Sequence, residues 1–102
     1  MQLEIANANA IERLAAKILF GGLPKGVTNE KAIAAYQKAI ECRPDVIRYH
    51  NELARAYEKV KDSEKAIEQL AFALSLTPQT ADDPAILQRC RQRFDELKKE
   101  RQ

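Results

Sequence analysis

Tryptophan is absent from the 102 residues, and three tyrosines and three phenylalanines are the only aromatic side chains. A core made from this chain must rest on Ala, Leu and Ile, a composition suited to closely packed helices. No stretch alternates apolar and polar residues over a strand's length, so no sheet is expected. No run of about eighteen apolar residues occurs, and with it goes any membrane-spanning helix. The opening MQLEIANANAIERLAAKILF is interrupted by charges and has no basic leader, unlike a signal peptide. Cysteine is scarce too. Cys42 and Cys90 lie far apart with no CxxC spacing, which predicts free, partly buried thiols and no disulfide or metal site.

An excess of either charge is also missing. Seventeen Lys and Arg face fifteen Asp and Glu, net +2, so no global field marks a nucleic-acid or membrane binder. The remaining balance, 45% hydrophobic and 31% charged, belongs to a folded globular chain of one domain, or to one piece of a longer array. The charge is unevenly placed. Residues 84–102 carry six basic and three acidic groups, whereas residues 1–83 carry eleven and twelve.

What is present is helical periodicity. Ile11, Leu14, Ala15 and Ile18 form one stripe and predict a helix over 3–20, ended by Gly21-Gly22. A loop over 21–28 holds all three glycines. A second helix is predicted over 29–42, with Thr28 or Asn29 as N-cap and Pro44 closing it. A third runs over 46–60 behind Asp45, and a fourth over 63–76 behind Asp62, with Pro78 beyond its end. The fifth follows an Asp cap with Pro84 at its first position and reaches about residue 99. Ile86, Leu87, Cys90, Phe94 and Leu97 share its apolar face.

The chain also repeats itself. Residues 29–44, NEKAIAAYQKAIECRP, return thirty-four residues later as SEKAIEQLAFALSLTP, 63–78. Ala32 meets Ala66, Ile33 meets Ile67, Ala39 meets Ala73 and Pro44 meets Pro78. Paired alanines let helix backbones approach, bulky residues fill between them, and prolines turn the chain. Such a period marks an array in which each unit buries its face against its neighbours. These residues resemble the tetratricopeptide repeat family. Leu53, Ala54, Tyr57, Ala66, Leu70, Ala73 and Pro78 stand at its pattern positions, while His50 replaces its Trp and Lys61 its turn Gly. The first unit matches only in its second helix. An LP-containing loop, a TNEKAI start and a TPQTADD loop before a final helix are, in that order, similar to the C-terminal region of regulator of microtubule dynamics proteins.

Catalytic candidates are few. His50 is the only histidine and could serve as a base or ligand. It shares a helical stripe with Leu53, Ala54, Tyr57 and Val60, which favours a packed place in the core. Gly21, Gly26 and Thr28 resemble a phosphate-binding loop, but Lys25 precedes the second glycine, Val27 takes the lysine's place, and a helix rather than a strand leads in. No nucleophile has a base and no ligand set is grouped, so no catalytic, cofactor or metal site is expected.

The polar face of the 46–60 helix is the candidate binding surface: Arg48, Asn51, Glu52, Arg55, Glu58 and Lys59. The tetratricopeptide resemblance implies that this face lines a concave groove for a bound peptide. Arg55 and Lys59 are like charges at i, i+4, and Arg13 and Lys17 repeat that spacing on the first helix. Brought together, the four would suit an acidic peptide or a C-terminal carboxylate. An ordinary solvated face balanced by Glu52 and Glu58 is the competing reading. Arg89, Arg91, Arg93, Lys98 and Lys99 of the last helix invite a second one, electrostatic binding of nucleic acid or an acidic polymer such as tubulin tails. They point in several directions among Asp95, Glu96 and Glu100, which favours a solvated cap.

The expected fold is therefore all-α: a short right-handed α-solenoid of five helices in one domain over 1–102. It comprises a modified repeat (3–44), a full repeat (46–78) and a capping helix (84–100). The expected function is non-catalytic binding of a protein or peptide, or scaffolding, without cofactors. Two units and a cap fall short of the roughly three that bury a continuous core, which points to self-association or a longer parent chain. The expected compartment is the cytoplasm, with anchoring of a longer parent left open.

Overall fold

The computed structural model describes residues 28–101, and among these there are four helices and no strand. They are α1 (Asn29–Cys42), α2 (Ile47–Lys59), α3 (Ser63–Leu74) and α4 (Asp83–Arg101). The helix expected over 3–20, with Arg13 and Lys17, and nearly all of the 21–28 loop lie outside the described residues.

Local chemistry starts each helix. Thr28 caps α1, its hydroxyl accepting the Lys31 N–H at 3.2 Å, and the Asp62 carboxylate does the same for Lys65 at the start of α3, also at 3.2 Å. The expected Asp45 cap is not made. Helix α2 begins at Ile47 behind Val46, which makes no side-chain capping bond. Asp45 instead accepts a hydrogen bond from Gln79 Nε2 at 3.0 Å, because it stands one residue too early to reach the first free amides. Helix α3 stops at Leu74, two residues short of its expected end, where the Ser75 hydroxyl donates to the Phe72 carbonyl at 2.7 Å.

Helix α2 ends on a left-handed residue. Lys61 has φ 63°, its N–H bonds the Glu58 carbonyl, and the Asp62 N–H bonds the Tyr57 carbonyl. These are the two bonds of a Schellman cap, a position that glycine normally fills. A side chain there costs about 1–2 kcal/mol, offset in part by the extra freedom glycine has when unfolded. Lys61→Gly is therefore expected to raise the melting temperature by about 4 °C in a thermal scan.

The repeated line forms the core. Ala32, Tyr36 and Ala39 of α1 and Ala66, Leu70 and Ala73 of α3 are all buried, while Ile33, Ile40, Ile67 and Leu74 flank them half-buried. These five pairs of positions thirty-four residues apart have equivalent burial. Two polar links, Gln79 to Asp45 and Arg48 to Asp82 at 3.2 Å, also join residues spaced by thirty-four. Helix α2 is central, packed against α1, α3 and α4.

His50 is buried in this core. Its Nε2–H donates to the Pro44 carbonyl, Nδ1 shares a hydrogen bond with the Gln69 side chain, both at 2.8 Å, and its ring stacks on Phe72. Both ring nitrogens are thus engaged by the fold. The thiols differ from each other. Cys42 is free and exposed, against the expectation of partial burial: it is the last residue of α1, beyond the buried Ala35 and Ala39 of its own face. Cys90 is free and buried, and burial, with the Glu52 charge, pushes its thiol up to about 11.

A charged groove between the second and fourth helices

Helix α2 buries Ile47, His50, Leu53, Ala54 and Tyr57, so its polar positions must face elsewhere. Helix α4 anchors Ile86, Cys90 and Leu97 in the core. The space left between the two helices is an open groove made of two overlapping clefts of about 640 and 330 Å³. Asn51, Arg55 and Arg89 line both. The larger cleft adds Glu58 and Lys59 from α2 and Gln92, Arg93 and Glu96 from α4. The smaller adds Arg48 and Glu52, with Asp82 from the turn before α4.

All six sequence candidates on α2 thus share one groove, but not on equal terms. Asn51 is buried: its side-chain carbonyl accepts a bond from the Cys90 thiol at 3.5 Å, and its amide donates to Glu52 at 3.3 Å. It forms the floor, where the sequence placed it on the polar face. Arg55 pairs with Glu52 on its own helix at 3.4 Å. Arg48 reaches across to Asp82. Glu58 reaches across in the opposite sense, to Arg93, whose other terminal nitrogen meets Glu96 at 2.7 Å. Among the described residues Lys59 and Arg89 make no ion pair and are exposed.

The cations of the last helix point in several directions, as expected, and two of the five named from the sequence line the groove. Arg89, Gln92, Arg93 and Glu96 fall at i, i+3, i+4 and i+7 and form one stripe along the groove. Arg91, Lys98 and Lys99 do not line it, and Lys98 lies over the Phe94 ring at 5.2 Å. Helical spacing sets this stripe beside the buried Ile86, Cys90 and Leu97, but which polar stripe faces α2 depends on how α4 packs. The charge of the larger cleft comes from four cations and two carboxylates, a net of +2. Arg93 is held by both of these carboxylates and Arg55 by Glu52 of the smaller cleft, which leaves Lys59 and Arg89 without an ion pair among the described residues.

Below the groove, Asp83 ties α4 to the preceding turn. Its carboxylate accepts the backbone N–H groups of Gln79 at 2.8 Å and Thr80 at 3.0 Å. It was expected to cap its own helix. That helix instead begins at Asp83 itself, so the side chain points back into the turn. Among the described residues no three His, Cys, Asp or Glu are grouped as metal ligands would be, and no helix is long and apolar enough to cross a membrane.

A family model described as Regulator of microtubule dynamics protein 1-3 matches residues 2–98 of the chain. No curated protein matches it.

Proposed function

The chain belongs to the regulator of microtubule dynamics protein 1-3 family, and from that membership we propose that it is a non-catalytic interaction module docking an acidic protein segment between α2 and α4. The observation that carries this reading is the pair of exposed cations in the groove: Lys59 and Arg89 make no ion pair among the described residues, while Arg55 beside them is shared with Glu52 and the carboxylates of the larger cleft are held by Arg93. A polypeptide rich in carboxylates complements that surface. The family description supports a partner connected with microtubules, and the acidic tails of tubulin have the required chemistry. Absence of catalysis is supported by the engagement of the groove's carboxylates in ion pairs and by the burial of His50 with both nitrogens bonded.

The architecture we propose is the tetratricopeptide solenoid. It is supported by the equal burial of Ala32 and Ala66, of Tyr36 and Leu70, and of Ala39 and Ala73. The links between residues thirty-four apart support it further. In such an array the groove beside α2 is the concave surface.

The test is fluorescence anisotropy with a labelled hexaglutamate peptide. Exposed charge pairs are worth up to about 1 kcal/mol each, so the double variant K59A/R89A is expected to bind about tenfold more weakly and with a shallower salt dependence. Unchanged binding would remove the groove from consideration. Equal affinity for an RNA oligomer, lost in the same variant, would replace docking by unselective electrostatic binding.

A further inference from the structure

The groove is crossed at both ends by ion pairs of opposite sense. At one end Arg48 of α2 meets Asp82, and at the other Glu58 of α2 meets Arg93 of α4. Arg48 and Glu58 are ten residues apart, about 15 Å along a helix. That length accommodates four or five residues of extended chain. Between the two crossings lie Arg55 and Arg89, and Lys59 stands just past the second.

The second crossing involves two carboxylates on one guanidinium. Arg93 is held twice, by Glu58 from the opposite wall and by Glu96 one turn along its own helix. A guanidinium offers several donors in a fixed fork and binds carboxylates two at a time. Here the fork is already occupied by the protein's own carboxylates. The side chain of Glu58 is only 18% exposed, so its hold on Arg93 is screened less than that of a fully solvated pair.

Resting on the docking reading above, we infer that Glu58 and Glu96 form a latch that sets the selectivity of the groove, keeping Arg93 in reserve. With the latch closed, an incoming segment meets Lys59 and Arg89, and an Arg55 already shared with Glu52. It gains Arg93 only by displacing two carboxylates, which needs a ligand that carries acidic side chains at high density. A sparsely acidic segment supplies too few carboxylates to exchange and binds weakly. The latch therefore discriminates by carboxylate density instead of simply attracting negative charge, a selectivity obtained by an element that opposes the wrong ligand.

The experiment compares two labelled peptides, hexaglutamate and an alternating Glu-Gly hexapeptide, on the full chain by anisotropy. In the unmodified chain hexaglutamate is expected to bind more tightly by well over the ratio of charges. In E58Q/E96Q the alternating peptide is expected to gain about tenfold, and the gap between the two peptides to shrink. The variant D95N/E100Q removes the same formal charge from α4 outside the groove and is expected to change neither affinity by more than about twofold. Adding R93A to E58Q/E96Q is expected to abolish the gain.

An unchanged peptide ratio in E58Q/E96Q overturns the latch, as does an equal gain in D95N/E100Q. Either result leaves the groove standing so long as K59A/R89A still weakens binding. If E58Q/E96Q fails to fold, the single variant E96Q, which leaves the cross-groove pair in place, decides by the same ratio: a smaller narrowing supports the latch and none overturns it.

Discussion

Leu53→Ala is expected to cost about 2–5 kcal/mol of stability, enough to leave a large share of the chain unfolded at physiological temperature. Leu53 is 1% exposed and sits on α2, the helix that packs against α1, α3 and α4. Removing its side chain loses both the transfer of buried carbons from water and the contacts across the void left behind. Leu53 belongs to the one buried cluster that residues of all four helices share, so the void would open inside that cluster. In a stack of repeats each unit is stabilised only through adjacent units, so a defect at the central helix weakens both interfaces together. Urea unfolding followed by helical circular dichroism measures this. A loss below about 1 kcal/mol would mean that the core collapses around the gap. Glu68→Ala, on the exposed face of α3, is expected to stay within about 0.5 kcal/mol.

Asp83→Ala is expected to cost about 2–3 kcal/mol at neutral pH, because it leaves the Gln79 and Thr80 amides without a charged acceptor. The effect should depend on pH in a defined direction. Burial alone would raise the Asp83 pKa. The Gln79 and Thr80 backbone hydrogen bonds, with help from the Thr80 hydroxyl and the Arg48 charge, outweigh burial and hold it below the usual carboxylate value. A group with a depressed folded pKa contributes its stabilisation in full above its unfolded value, about 3.9, and loses it as pH falls through the folded one. The difference between the unmodified chain and the variant should therefore be constant from neutral pH down to about pH 5 and shrink below about pH 4. A difference that grows on acidification would assign the loss to something other than the carboxylate.

Both predictions rest on features that the sequence revealed to different degrees. Leu53 belonged to an apolar stripe at helical spacing, and its burial followed from that spacing. Asp83 stood beside Pro84 at a helix start and looked like a cap for its own helix. Its true partners are two amides of the preceding turn, which depends on the path of that turn. Lys61 belongs with Leu53: its place at the turn glycine of the repeat pattern anticipated the left-handed backbone found there. Asp45 belongs with Asp83, because a shift of one residue in the helix start moved it from a cap to a partner of Gln79.

The groove divides in the same way. The six polar residues of α2 were legible because helical spacing alone puts them opposite the apolar stripe. The role of Arg89 and Arg93 was not, since charges were interleaved around α4 and nothing local says which of them faces α2.

By itself the sequence determined that the described chain is helical, that Asp62 caps α3 and Thr28 or Asn29 caps α1, and which residues of the repeated line enter the core. Those outcomes depend on contacts within a few residues and on a burial pattern written twice. Only the tertiary structure decided which charges meet. Glu58 and Arg93 are thirty-five residues apart and Arg48 and Asp82 thirty-four, so their pairing depends on how α4 lies across α2. That crossing is fixed by the burial of Ile86, Cys90 and Leu97, and the charges beside them are carried to wherever the apolar packing places them.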